Sequence, residues 1–252
     1  MRWMVIGANG MLGSDLVSVL HKENVTAFTR SECDVTNVAS IQNAIHDVDV
    51  VVNCAAYTAV DDAETKEDLA FAINATGAEN LANACKKIGA RLVNISTDYV
   101  FDGKAKAPYE VNAETNPNSV YGRSKLAGEV AVTRILPGNH LIVRTAWLYG
   151  KNGNHFGKTI LKLAKTNENL KVVNDQIGQP TWTIDLSRKI LELVEKNSPA
   201  GIYHGTSSGE VSWFDFAREV FNIVGLDRNR IVPVSSEEFV RPAPRPKYSV
   251  LS

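Results

Sequence analysis

Through the first 150 residues of this chain, short runs of β-branched and aliphatic residues alternate with segments whose apolar positions recur every three or four residues. That alternation predicts a parallel sheet covered by helices on both faces. The predicted strands are Arg2–Ile6, Val25–Thr29, Val50–Asn53, Arg91–Ile95 and Leu141–Thr145. Between them, Met11–His21 carries Leu12, Leu16, Val19 and Leu20 at helical spacing, and Leu69–Ile88 and Tyr121–Ile135 read the same way. The expected fold is α/β: a Rossmann-like doubly wound parallel sheet over residues 1–148, with a smaller carboxy-terminal substrate lobe over 149–252, some elements of which return to the first domain.

After Gly150 the regularity loosens. Helices are predicted over Phe156–Lys165 and Thr183–Lys196, with a short strand at Lys171–Val173. Ser212, with Asp215 three residues on, forms a capping-box pattern that starts a helix whose expected apolar face is Trp213, Phe216, Val220 and Val224. The proline-rich run Val240–Pro246 is expected to be extended, because proline fixes its own φ and restricts the residue before it.

Composition removes whole classes of function. With 44% hydrophobic and 22% charged residues, the chain has the makings of a buried core, and a formal net charge of -1 gives no field to attract nucleic acid or anionic lipid. Neither nucleic acid nor membrane is an expected partner. The chain enters a strand at once and has no apolar run of spanning length, so a cytoplasmic location is expected. Cys33, Cys54 and Cys85 form no CxxC pair and the five histidines show no ligand spacing, so no metal site is predicted.

The segment Gly7-Ala8-Asn9-Gly10-Met11-Leu12-Gly13 sits between the first strand and the first helix, where glycines let a pyrophosphate approach the backbone at a positive helix end. The second strand ends Phe28-Thr29-Arg30. An arginine there pairs with a 2′-phosphate, which favours NADP(H), while Asp34 and Val35 are placed to meet the adenine and keep NAD(H) open. Cys54, Ala55 and Ala56 are small residues where a dinucleotide would cross the sheet edge. The most informative group is Ser96-Thr97-Asp98, followed by Tyr121 and Lys125 four residues apart. On a helix those two side chains share one face, so the ammonium is expected to lower the phenol pKa and to reach a bound ribose. Tyr121 would then donate a proton as hydride reaches a carbonyl, with Thr97 holding the carbonyl oxygen.

At these residues the sequence resembles the extended short-chain dehydrogenase/reductase family. The resemblance extends through Ala55–Asp61, Ile95–Gly103, Val120–Glu129, Arg144–Trp147 and Asp175–Thr181. It is strongest toward members that use NAD(P)H to reduce the 4-keto group of a nucleotide-linked deoxysugar, dTDP-4-dehydro-L-rhamnose. The resemblance implies Thr97, Tyr121 and Lys125 as the catalytic set, and Tyr121 and Lys125 as cofactor contacts as well. It places Thr58, Val60, Thr97, Asp98, Tyr99, Tyr121 and Trp147 on the sugar, and Gln179, Pro180 and Thr181 where the lobe meets the nucleotide. Arg241 and Arg245 are candidates for the substrate diphosphate on charge grounds. Some members are magnesium-bridged dimers; no matching carboxylate set maps onto this chain, which leaves magnesium and a homodimer open. Two alternatives share the fold: a nucleotide-sugar dehydratase or epimerase, and a non-catalytic NADP-binding regulatory subunit resembling the β subunit of methionine adenosyltransferase. The dehydratases carry an Asp-Glu pair after the threonine, whereas Asp98 here is followed by Tyr99.

Overall fold

The computed structural model describes residues 1–252. In chain order its first half comprises β1 (Arg2–Ile6), α1 (Met11–Val19), β2 (Asn24–Phe28), α2 (Val38–Ala44), β3 (Val50–Asn53), α3 (Val60–Ala63), α4 (Glu67–Phe71), α5 (Gly77–Ile88), β4 (Arg91–Thr97), α6 (Val120–Ile135) and β5 (His140–Thr145). The second half adds β6 (Leu148–Tyr149), α7 (Phe156–Leu163), β7 (Leu170–Val173), β8 (Ile177–Gly178), β9 (Thr181–Trp182), α8 (Thr183–Glu195), β10 (Gly201–His204), β11 (Val211–Ser212), α9 (Trp213–Ile223) and β12 (Ile231–Val234).

Six parallel strands form the main sheet in the order β10-β5-β4-β3-β1-β2. The chain winds outward from β1 to β2, then returns across β1 to continue with β3. This reversal opens a crevice at the carboxyl ends of β1 and β3, which is where doubly wound sheets bind ligands. Alternation along each strand fills two cores. Met4, Ile6, Val51, Leu92 and Ile142 face α2, α5 and α6, while Trp3, Val5, Val52, Val93 and Val143 face α1 and α8. From the second half, β10 joins the sheet beside β5 and α8 packs on α1.

Beyond the unpredicted short elements α3, β6 and β8–β12, three features differ from expectation. Helix α2 is added after the second strand, capped by Asn37, whose side chain accepts from the Ala39 and Ser40 N–H groups. The single helix expected over Leu69–Ile88 is divided by a π-helical turn at Ala72–Thr76. In α9 the most buried residues are Ala217 and Phe221, which pack with Ile160, Leu170, Val172 and Ile231, and Val224 is 49% exposed. Trp213 packs against the edge of the same cluster and, with Phe216, joins an aromatic group around Phe156.

Helix α6 lies unusually close to its surroundings. A Cβ at Gly122 would overlap the Tyr99 carbonyl, and one at Gly128 would overlap the Asn74 carbonyl in the π turn. Gly128→Val should therefore cost about 2–3 kcal/mol in urea unfolding, the usual scale of core overpacking. Gly138→Ala, where nothing lies within 4 Å of the added Cβ, should leave the unfolding midpoint in place.

Candidate active site

The glycine-rich turn is shaped by backbone contact. Gly7 has φ +79°, and a Cβ there would sit 2.8 Å from the Ala55 nitrogen. A Cβ on Gly13 would overlap the Gly7 carbonyl. These glycines let the turn fold tightly onto the start of α1 and against the end of β3. The cavity beside it, about 200 Å³, is lined by Gly7, Asn9, Gly10, Arg30, Asp34, Val35, Cys54, Ala55 and Ala56, with Cys33 and Ile73 completing the wall. Met11, Leu12 and Gly13 form the first turn of α1 behind it. The open backbone at a helix start fits a dinucleotide pyrophosphate.

At one end of this cavity Arg30 is solvent-exposed and lies 3.8 Å from Asp34. Asp34 also accepts from the Thr36 N–H and hydroxyl, and these bonds hold its carboxyl below the usual carboxylate range. A second carboxylate escaped the sequence reading. Glu32 accepts from the Thr29 N–H and hydroxyl at 2.8 Å each, which lowers its pKa as well. One arginine thus shares its turn with two anions.

At the carboxyl end of β4, Thr97 pairs in register with Thr145 of β5. Thr97 Oγ1 donates to Asp98 Oδ1 at 2.9 Å and accepts from the Tyr99 N–H at 3.2 Å. Ser119 caps α6 by accepting from the Gly122 N–H, and Glu64 Oε1 accepts from the Val120 N–H at 2.9 Å. That capping starts the helix one residue before Tyr121. Tyr121 packs edge-on against Tyr99, with ring centroids 5.5 Å apart. Lys125, one turn on and 4% exposed, donates from Nζ to the Ile95 carbonyl at 2.6 Å.

The electrostatics correct one expectation. The phenol of Tyr121 is not lowered by Lys125. Burial pushes it up to about 12, with the Thr97 hydroxyl opposing and the Asp98 charge adding to the rise. Burial also takes the Lys125 ammonium down to about 8, opposed by the charge of Glu129. Desolvation is the largest cause of both shifts.

Behind this group lies an ion pair absent from the sequence reading. Arg144 on β5 grips Glu129 through Nε and Nη2 at 3.0 and 2.7 Å, both side chains being 3% exposed, and Ser96 donates to the same carboxylate. Asn74 is a further omission. Its Oδ1 accepts from the Tyr57 N–H, and its Nδ2 donates to the Tyr57 carbonyl and to Ser124 Oγ, so it ties the loop after β3 to α6. The π turn places it there, as such bulges often do near functional sites.

The expected sugar and nucleotide contacts divide. Thr58 is exposed in the loop after β3, and Val60 begins α3. Trp147 has φ 45°, a left-handed conformation uncommon outside glycine. It lies flat on Trp213, with centroids 3.4 Å apart and 8° between planes, and a Cβ on Gly178 would come within 2.5 Å of its ring. Pro180 is half-buried between β8 and β9. Gln179 and Thr181 are committed elsewhere. Both ends of the Gln179 amide bind the Leu251 backbone, and the Thr181 hydroxyl bonds the Gln179 carbonyl and the Ser207 N–H. Arg245 and Arg241 both reach Asp61, at 2.9 and 3.6 Å, so their charge is partly neutralised within the chain. No group of three or more His, Cys, Asp or Glu residues is arranged to hold a metal ion.

A family profile described as the RmlD substrate binding domain matches residues 1–252. The chain is 46% identical to a dTDP-4-keto-6-deoxy-D-glucose reductase from Streptomyces niveus, over 99% of this chain and 88% of that one. It is similar to the crystal structure of a dTDP-4-dehydrorhamnose reductase from Clostridium acetobutylicum, with TM-score 0.96, 47% identity, and coverage of 100% and 90%. A dTDP-4-dehydrorhamnose reductase from Bacillus anthracis, solved in complex with NADP, matches with TM-score 0.95 and 42% identity over 100% and 90% of the two chains.

Arg144→Met strands the Glu129 carboxylate without its cation and should cost about 3–5 kcal/mol in denaturant unfolding. Loss of less than about 1 kcal/mol would mean that the pair is not buried as described.

Proposed function

The chain belongs to the RmlD substrate-binding-domain family, and on that premise we propose that it is an NADP(H)-dependent reductase of the 4-keto group of a nucleotide-linked deoxysugar, dTDP-4-dehydro-L-rhamnose. The single observation that carries this reading is the meeting of Tyr121 and Lys125, one turn apart on α6, with Thr97 at the carboxyl edge of the sheet that bears the glycine-rich turn. The close relatives named as reductases of such sugars support the substrate class, and the Bacillus anthracis complex supports NADP(H).

NADPH, when bound, supplies the hydride. The backbone of the glycine-rich turn would hold its pyrophosphate at the start of α1, and Arg30 would meet the 2′-phosphate. Tyr121 Oη gives its proton to the carbonyl oxygen as that oxygen becomes an alkoxide. A phenol near 12 remains fully protonated at neutral pH and is therefore loaded for donation. Lys125, buried at the next turn, would reach the nicotinamide ribose. Thr97 aligns the carbonyl. The sugar lies between the sheet domain, residues 1–148, and the lobe of residues 149–252, beside Thr58, Val60, Tyr99 and Trp147, with Arg245 and Arg241 exchanging Asp61 for the diphosphate. No helix is long and apolar enough to cross a membrane, and a cytoplasmic site of action fits a nucleotide-sugar substrate.

The dehydratase alternative needs a second carboxylate after Thr97, and that position holds Tyr99, packed edge-on against Tyr121. Incubation with NADPH and dTDP-4-dehydro-L-rhamnose should consume cofactor and add two hydrogens to the sugar by mass. Loss of water with no net cofactor oxidation would favour the dehydratase, and a flat absorbance trace with intact cofactor binding would favour the regulatory subunit.

Tyr121→Phe should lower turnover at least ~100-fold while leaving NADPH affinity nearly intact, because the hydroxyl acts mainly in the transition state. Lys125→Met should weaken both. Near-parental turnover in Tyr121→Phe, measured by steady-state kinetics, would remove the proposed acid.

NADPH should bind at least as tightly as NADH, and Arg30→Ala should erase the difference. Asp34→Asn keeps an acceptor for Thr36 and removes one of the two anions, so it should raise NADPH preference by a few-fold, the scale of an exposed ion pair. Fluorescence titration with both cofactors reads this, and NADH preference in the parent would overturn the role given to Arg30.

A further inference from the structure

The Thr97 hydroxyl has one hydrogen to give; in the structure it goes to Asp98, although the same hydroxyl lies close enough to Tyr121 to oppose the rise of its phenol. Oγ1 donates to Asp98 Oδ1 and accepts from the Tyr99 N–H. A carboxylate only accepts, so the direction of the first bond is set while Asp98 is charged. A substrate carbonyl oxygen also only accepts. In that state Thr97 has nothing to offer it.

Asp98 is itself an unusual anion. It is 2% exposed, and its Oδ2 has no hydrogen-bond partner. The groups around it are Tyr99 in its own turn, Tyr121 from α6 and Ser249 from the carboxy-terminal segment. No cation pairs with it: Arg245 is engaged by Asp61, and the Lys125 ammonium bonds the Ile95 carbonyl. Burial pushes the carboxyl up to about 6, opposed by the nearby Ser249 hydroxyl, by the Thr97 hydrogen bond and by the N–H groups of its own turn.

We propose that Asp98 is a positioning residue whose protonation sets the direction of the Thr97 hydroxyl. As a carboxylate it holds the Thr97 hydrogen. As a carboxylic acid, having taken one proton from solvent, it donates to Thr97 Oγ1 and releases the Thr97 hydrogen toward the substrate carbonyl oxygen. The only net change is one proton gained by Asp98, and Tyr121 remains the proton donor to the product. This inference rests on the reductase reading, which gives Thr97 a carbonyl to serve.

The test is the pH dependence of kcat/KM in the parent, Asp98→Asn and Thr97→Val, from about pH 5 to about pH 8. In the parent, kcat/KM should fall about tenfold as pH rises through about 6, the worth of one hydrogen bond withdrawn from the reacting oxygen. Asp98→Asn cannot titrate, and Thr97→Val has no hydroxyl to turn, so both should lose this limb, the second at lower overall rate. A limb that persists in either variant, or is missing from the parent, overturns the proposal.

A second readout needs no turnover. The folded chain holds the Asp98 proton more tightly than the unfolded chain between the ordinary 3.8 and about 6, so parental stability should fall as pH rises through that window. Asp98→Asn should lack this component of the fall, and identical pH slopes in the two proteins would show that Asp98 does not titrate there and would overturn the proposal. A parent that never oxidises NADPH with the sugar defeats the reductase reading and this inference with it. A parent that does so, with the limb intact in Thr97→Val, defeats this inference alone.

Discussion

The close seating of α6 on the edge of β4 is the constraint from which the site follows. Where Gly122 meets the Tyr99 carbonyl and Gly128 meets the Asn74 carbonyl, there is no room for a side chain. Only at that spacing does Lys125 reach the Ile95 carbonyl, and only there does Glu129 come within reach of both Ser96 and Arg144. Tyr121, Lys125 and Glu129 stand at successive turns of one helical face, so one packing event places the proposed acid, Lys125 and the ion pair behind them.

The same proximity has an electrostatic cost that shapes the chemistry. Lys125 and Asp98 are both taken out of water with incomplete compensation, and each is shifted toward its neutral form. Groups held near neutrality at a sheet edge are suited to proton traffic around pH 7. The outlying conformation of Trp147 belongs to the same edge. Its φ of 45° is held between Trp213 and the bare backbone of Gly178, which links the strand that ends at Thr145 to the carboxy-terminal lobe.

Much of this was legible in the sequence because it depends on local period and spacing. The central strands, the glycine-rich turn between β1 and α1, and the four-residue separation of Tyr121 from Lys125 are all local properties. What escaped needs the third dimension. Asn74 reaches Tyr57 and Ser124 only through a π turn that no periodicity announces. Gln179 looked free for a ligand, yet both ends of its amide are spent on the Leu251 backbone 72 residues away. The phenol of Tyr121 was expected to fall beside a cation and instead rises, because spacing reveals neighbours and not the depth of burial.

In the proposed reaction, hydride reaches the sugar carbonyl carbon while Tyr121 protonates its oxygen. The most direct measurement follows the hydride itself, using NADPH carrying deuterium at both C4 positions and locating the label in the product by mass and NMR. One deuterium at the sugar C4, with the C4 hydroxyl hydrogen exchanging with solvent, is the expected result. A product without deuterium, or with deuterium on any other sugar carbon, would contradict carbonyl reduction at this site.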